Sequence, residues 1–159
     1  MNFELRVRTE SDTQEFLTWS YEGEYSFYDN SIQQEKIDSI RNLTGSDKAF
    51  SVYNEENELV GNCEFYDVGD DGEIFYAVGV QMKPSLTGKG NGLVFCKAII
   101  EHGRKVLGFN QLGIAVADFN KRARRVYEKL GFKFVEEQVW NIRGNDYKFI
   151  IMEANFEAK

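Results

Sequence analysis

Residues 75–93 read FYAVGVQMKPSLTGKGNGL and contain the pattern that decides the fold. The apolar segment 74–82 predicts a strand that ends at Pro84, because proline cannot donate a hydrogen bond to a sheet. The mostly apolar segment 90–107 that follows predicts a long, largely buried helix, and 112–117 predicts another buried strand. A strand–helix–strand unit of this kind joins two parallel strands by a right-handed connection.

The elements on either side of this unit extend the sheet. Before it, alternating and helical patterns predict a strand, two short helices and a hairpin of two strands, with Ser11 or Asp12 capping the first helix and Asn30 or Ser31 the second. After it come a helix capped by Asp118 and a final hairpin. The order β-α-α-β-β-β-α-β-α-β-β predicts one α/β (α+β) domain over residues 1–159, built on a mixed sheet.

Composition restricts the classes of partner. The 159 residues are 28% charged, carry a formal net charge of -7, and contain no apolar run near the ~20 residues of a membrane span. Nucleic acids are bound largely through Lys and Arg, so the acidic balance disfavours them, whereas it favours a cationic small molecule. We therefore expect a small-molecule or peptide partner, no nucleic acid and no membrane.

The cysteines and the single histidine argue against two kinds of site. Cys63 and Cys96 are far apart, without metal-ligand spacing, and both lie in apolar contexts that predict core positions. This usage fits a reducing, cytoplasmic setting. His102, the only histidine, falls in the middle of the long helix, so we expect a structural role for it. Neither a histidine-based metal site nor a Ser-His-Asp triad is expected.

Three glycines at alternate positions lie where the strand becomes the helix. They are Gly88, Gly90 and Gly92. Without a Cβ the backbone can approach a ligand and adopt positive φ, and the free N–H groups of a helix start favour a phosphate. Lys89 adds a cation. A flexible turn that binds nothing would have the same glycines. The two common nucleotide motifs are excluded, because Lys83 and Leu93 stand where they require glycine.

The segment 84–92 resembles the pyrophosphate loop of the GCN5-related N-acetyltransferase (GNAT) superfamily, written Q/R-x-x-G-x-G/A. The resemblance implies that acetyl-CoA is the cosubstrate and that the loop binds its pyrophosphate through Gly88, Lys89, Gly90, Asn91 and Gly92. The chain departs from the pattern at Thr87, where the family usually has Arg or Gln. A hydroxyl can still donate one hydrogen bond at this position, but the long side chain is missing.

The same resemblance implies a centrally splayed sheet of about seven strands flanked by about four helices. In the family the pantetheine arm lies in the gap beside the strand that precedes the loop. Val80, Gln81 and Met82 would then pair with it, and Gly79 is a suitable place for a bulge in the strand. A plain buried strand is the alternative interpretation of this segment.

A second motif lies in residues 116–132, VADFNKRARRVYEKLGF, which resemble the family signature N-x-x-A-x-x-x-Y-x-x-x-G-F. Helical spacing puts Ala123 and Tyr127 on one face, with Asn120 one turn earlier. An amphipathic helix with a core tyrosine explains part of this pattern. The resemblance implies that Asn120, Ala123 and Tyr127 bind the cofactor, and that Tyr127 donates a proton to the coenzyme A sulfur.

Direct attack by an amine needs a general base as well as this acid, and the sequence leaves the base open. Glu64 lies in the middle of a predicted strand, where a charge needs a reason, and we prefer it for that reason. Glu73, at a strand start, and a water molecule are the alternatives.

The aromatic and acidic segment 21–30 falls where the superfamily builds its acceptor site. Glu24, Tyr25 and Tyr28 could bind a cationic or aromatic amine by charge and cation–π contact. The same segment could instead pack its aromatic side chains on the core with its acids outward. The identity of the amine stays open.

The sequence also leaves open two other functions and the formation of a homodimer. A coenzyme A-binding sensor without catalysis would explain Thr87, and a phosphate- or nucleotide-binding α/β protein would explain the glycines. The final hairpin is apolar at Val139, Trp140 and Ile142, which would suit a homodimer.

Overall fold

A computed structural model describes residues 2–31 and 33–156. In this part of the chain the strands are β1 Phe3–Val7, β2 Ala49–Asn54, β3 Leu59–Asp67, β4 Tyr76–Met82, β5 Gln111–Ala117, β6 Lys133–Ile142 and β7 Asn145–Asn155. The helices are α1 Glu10–Phe16, α2 Gln34–Asn42, α3 Gly92–Leu107 and α4 Lys121–Lys129, with 3₁₀ segments at Gly23–Tyr28 and Pro84–Leu86. The order of strands and α-helices is the one that the sequence predicts.

The strands form one mixed sheet in the order β1-β2-β3-β4-β5-β7-β6. Neighbouring strands are antiparallel except β4 and β5, which are parallel and are paired at a single position, Ala77 opposite Gly113. Further toward the end of β4 the two strands diverge. The prediction of a mixed, centrally splayed sheet is therefore confirmed.

Helix α3 packs closely on one face of the sheet. Its buried residues Phe95 and Ile99 belong to a core that also contains Val52, Cys63, Val78, Leu112, Ile150 and Met152. A Cβ on Gly103 of α3 would overlap the ring of Phe65, so glycine allows the helix to lie this near the strand. Close packing of α3 fixes the position of the loop from which it begins.

The opposite face of the sheet carries α1. Thr9, rather than the predicted Ser11 or Asp12, is the N-cap residue of this helix, and it forms a reciprocal capping box with Asp12. The buried Asp12 carboxylate also accepts hydrogen bonds from Ser51 Oγ at 2.7 Å and from the Tyr53 hydroxyl. These contacts attach α1 to β2.

The starts of the other three helices also differ from the sequence prediction. Helix α3 begins at Gly92 rather than Gly90, because Gly88 and Gly90 have positive φ values of 72° and 82°. Helix α4 is capped by Asn120 in place of the predicted Asp118. Asp118 still belongs to the sheet, because its N–H donates to Lys148 O.

Helix α2 has Gln33 as its N-cap residue, without a side-chain hydrogen bond, in place of the predicted Asn30 or Ser31. The amide of Asn30 donates instead to Phe16 O at 2.7 Å. None of the helices formed by the described residues has the length and apolar character needed to cross a membrane.

Candidate active site

The glycine loop adopts a shape that suits close approach by a ligand. Gly88 and Gly90 both lie in the left-handed region, which L side chains rarely adopt. Asn91 precedes α3 without a capping hydrogen bond from its side chain, so the first N–H groups of the helix remain open to a ligand. Lys89 beside them is exposed. This geometry is suited to an anion.

Thr87 does not direct its hydroxyl toward the loop's open N–H groups. Its Oγ1 donates to the carbonyl of Pro84 at 2.8 Å, which uses the only proton of the hydroxyl within the turn. The hydrogen bond that the sequence leaves open for a ligand is therefore already made inside the protein. The loop has no long polar side chain at this position.

The divergence of β4 from β5 leaves part of the β4 backbone without a strand partner. Lys83 N–H donates to Val60 O on β3 at 2.8 Å, and strand groups alternate in direction, so those of Val80 and Met82 point toward β5. Met82 O accepts from the Tyr21 hydroxyl at 2.6 Å. The backbone groups of Val80 and the N–H of Met82 therefore point into the gap.

Gly79 is not at a bulge, although the sequence suggested one there. The β3–β4 register runs without interruption from Gly61 opposite Met82 to Asp67 opposite Tyr76. The sheet opens because β5 diverges from β4, with no extra residue inserted in β4. Gly79 lies opposite Glu64 in this register, and a Cβ at this position would be in van der Waals contact with the Glu64 side chain.

Gln81 has its side chain on the α1 face of the sheet and joins the strand to segment 21–30. Its Oε1 accepts from Asn62 and Asn30, at 2.9 and 2.8 Å, and its Nε2 donates to Tyr28 O at 3.2 Å. The Gln81 side chain thus anchors the neighbouring segment.

Glu64 is half-buried on the same face. Its Oε1 lies 3.6 Å from the position that a Cβ on Gly79 would take. Burial raises the pKa of the Glu64 carboxyl, and the positive charges of Arg8 and Lys36 offset this only in part. A carboxylate held in this way is a stronger base than usual. Glu73, the alternative base, is exposed.

Lys36 is a functional candidate that the sequence pattern did not indicate. Its Nζ donates to the carbonyls of Tyr28 and Asp29, at 3.0 and 3.1 Å. Burial lowers the pKa of this ammonium to about 8. The contact holds segment 21–30 against α2 and brings a positive charge near Glu64.

Asn120, the N-cap residue of α4, contacts segment 21–30, whereas Tyr127 of the same helix lies in the main core. Asn120 Nδ2 donates to the Tyr28 hydroxyl at 3.2 Å, across 92 positions of sequence. Tyr127 is only 7% exposed, and its pKa is raised well above its usual value by burial and by the nearby Cys96 and Tyr28. Tyr127 therefore keeps its proton at neutral pH. Ala123 is half-buried between them.

The segment Gly23–Tyr28 packs its aromatic side chains against other rings and leaves its acid exposed, which is the alternative that the sequence left open. Tyr25 and Phe27 pack against Phe119, with ring centroids 5.9 and 5.8 Å apart, and Glu24 is exposed. Burial raises the pKa of Tyr28. Tyr25 and Tyr28 are thus brought together with α4, whereas Glu24 is not.

Sequence reasoning also missed Tyr21 and Arg122. Tyr21 reaches Met82, 61 positions away, and the Arg122 guanidinium lies 4.6 Å from the centre of the Tyr25 ring. Both contacts join segments distant in sequence, so no local pattern indicates them.

Comparison with known proteins identifies the class that this fold and site define. The family model described as "Acetyltransferase (GNAT) domain" matches residues 2–133. The chain therefore belongs to the GNAT acetyltransferase family. A search of curated proteins finds no significant match.

Solved structures share the fold over nearly the whole chain. One is a GNAT-family acetyltransferase from Bacillus anthracis, with a TM-score of 0.78 and 19% identity, covering 98% of this chain and 95% of that chain. Another is a chimera of the spermidine N-acetyltransferase from Vibrio cholerae with hSSAT, with a TM-score of 0.78 and 18% identity, covering 98% and 96%. At such identities the likeness shows the fold alone.

Proposed function

We propose that this chain is an acetyl-CoA-dependent N-acetyltransferase that acts on a primary amine of a small molecule or peptide. One observation carries the proposal beyond family membership. The parallel pair β4–β5 opens directly beside a loop whose Gly88 and Gly90 have positive φ. A backbone edge without a partner and a site for an anion thus lie next to each other, as a long ligand with an amide arm and phosphates requires.

The residues present fit acetyl-CoA. Gly88, Lys89, Gly90, Asn91 and Gly92 would hold the pyrophosphate through backbone N–H groups, and the free N–H and C=O of Val80 suit the amides of a pantetheine arm. Gln81 and Met82 would hold Val80 in place as its neighbours in the strand, and Asn120 and Ala123 would contact the cofactor from α4. When bound, acetyl-CoA supplies the acetyl group as an activated thioester.

The chain's own residues would perform the proton transfers. An amine is largely protonated at neutral pH, so a base must remove a proton before it can attack. Glu64, with its raised pKa, would take that proton directly or through water. Tyr127 holds its proton at the hydroxyl and would give it to the leaving sulfur, and the second proton that the nitrogen loses on becoming an amide would return the phenol to its neutral form through water. A backbone N–H near Val80 would stabilise the developing charge on the acetyl oxygen.

Segment 21–30 would form one wall of the acceptor site, with Tyr25 and Tyr28 as contacts and Glu24 at its rim. Spermidine N-acetyltransferases among the structures of similar fold make polyamines a reasonable first group of acceptors to test. The acidic net charge of -7 is compatible with such cations. The predicted homodimer contact is proposed at the β6–β7 hairpin, where Val139 is 65% exposed.

A second candidate function is coenzyme A binding without catalysis. The position of Thr87 favours it, because its hydroxyl bonds to Pro84 and leaves the loop without its usual long polar side chain. Such a protein would bind acetyl-CoA but would have no turnover to lose on mutation.

The test is an assay of amine-dependent thiol release from acetyl-CoA. The panel should contain polyamines, amino acids, aminoglycosides and short peptides, with mass spectrometry of the product to locate the acetyl group. We expect at least one amine to be acetylated at nitrogen. Tight binding of acetyl-CoA with no release for any amine would contradict the enzyme proposal and favour the sensor.

A further inference from the structure

Arg122, the second residue of α4, closes one side of the glycine loop. Its Nη1 lies 2.7 Å, and its Cζ 3.7 Å, from the position that a Cβ on Gly88 would take. The guanidinium also lies over the ring of Tyr25, 4.6 Å from its centre. The guanidinium of the exposed Arg122 therefore lies between Gly88 of the loop and the ring of Tyr25. A Cβ on Gly88 would make the flexible guanidinium shift, so it is the positive φ that requires glycine at this position.

Two other polar side chains near the loop are already engaged within the protein. The Thr87 hydroxyl donates its proton to the carbonyl of Pro84. The ammonium of Lys83 forms an ion pair with Glu15, with Nζ 3.9 Å from Oε2. Among the described residues, no carboxylate lies within 4.0 Å of the Arg122 guanidinium. Its charge is therefore available to a ligand.

A cavity of about 470 Å³ lies at this position. Its walls include Tyr21, Tyr25, Thr87, Lys89 and Arg122. The cavity thus brings the cations of the loop and of α4 to one space. A planar guanidinium can bind phosphate oxygens through two parallel hydrogen bonds, which an ammonium cannot do.

We propose that Arg122 supplies from α4 the polar side chain that the loop lacks at Thr87, and that its guanidinium binds the pyrophosphate of the cofactor. The proposal rests on the proposed function, because it assumes acetyl-CoA as the ligand. It also explains how the loop keeps a binding site although Thr87 replaces the family's usual Arg or Gln.

Calorimetric titration with coenzyme A and with 3′-dephospho-coenzyme A tests the proposal. The proteins are the wild type, R122Q and a control, K129Q, which removes one positive charge from the same helix about 10 Å away. We expect R122Q to weaken both ligands by about tenfold or more, and K129Q to change neither. R122Q should unfold at the wild-type temperature without ligand, because Arg122 is exposed.

A rescue variant tests directly whether Arg122 replaces the polar side chain that the loop lacks at Thr87. T87R introduced into R122Q should restore much of the lost affinity, because the new cation stands at the family's usual place. The proposal is overturned if R122Q binds like the wild type, if the loss disappears with 3′-dephospho-coenzyme A, or if T87R gives no recovery. Failure of the wild type to bind either ligand would instead refute the proposed function.

Discussion

Replacing Glu64 by glutamine tests the proposed base while keeping the shape of the side chain. Burial raises the pKa of the Glu64 carboxyl, and Arg8 and Lys36 keep it from rising further. The ionised form is therefore a better proton acceptor than an exposed glutamate. Glutamine at this position occupies the same space opposite Gly79 but cannot accept a proton.

The size of the expected loss of activity follows from the role of Glu64 as a general base. A positioned general base contributes about 10²- to 10⁴-fold to the rate, so E64Q should lower kcat/KM by that factor, or about 3 to 5 kcal/mol of transition-state stabilisation.

The folding stability of E64Q should change in the other direction. Because the folded-state pKa of Glu64 lies above its unfolded value, stability from this group is lost as the pH rises through the folded-state pKa. E64Q should therefore be at least as stable as the wild type at neutral pH.

The assay is the initial rate of thiol release at a series of pH values, with an amine that the wild type accepts. Wild-type kcat/KM should fall as the pH drops through the raised pKa of Glu64, and E64Q should lack this acid limb. The matched control is Glu73→Gln, which removes the exposed alternative base and should retain activity. A wild-type rate in E64Q, or a loss in the Glu73 variant alone, would refute the assignment.

Three further substitutions test other parts of the account. Tyr127→Phe should lower kcat by about 10²-fold or more in the thiol assay and leave the calorimetric Kd for acetyl-CoA unchanged; a lower affinity with normal kcat would argue against an acid. Glu24→Lys should raise KM for a cationic amine, and an unchanged KM would remove its segment from the acceptor site. Asp12→Ala should lower the free energy of unfolding by about 3 kcal/mol in urea, because Ser51 and Tyr53 lose their acceptor. Burial alone would raise the pKa of Asp12, but hydrogen bonds from Tyr53 and Ser51 lower it, so the wild type should lose stability as the pH falls through that pKa, and this variant should not.

Much of the fold could be predicted because it depends on local patterns. Apolar periodicity gave the order of strands and helices, and the glycines marked the turn into α3. Apart from the bulge suggested at Gly79, the errors lie at helix starts, where tertiary contacts decide. Asp118 stays in the sheet through its bond to Lys148, so Asn120 becomes the cap, and Asn30 bonds to Phe16 instead of capping α2.

The site was less accessible to sequence reasoning. The family motifs led to the predictions for Tyr127 and the loop, whereas Glu64 was preferred as the base only because it lies in the middle of a strand. The contacts of Tyr21 with Met82 and of Asn120 with Tyr28 join residues 61 and 92 positions apart. Such contacts depend on how the segment 21–30 folds over the open end of the sheet, and no local spacing encodes them.

Calorimetric titration of the purified protein with acetyl-CoA, with ATP as the comparison, tests the central claim most directly. The open β4–β5 edge and the glycine loop predict saturable binding of acetyl-CoA with micromolar affinity and none of ATP. Binding of ATP in place of acetyl-CoA, or binding of neither, would contradict the proposed cofactor and with it the proposed reaction.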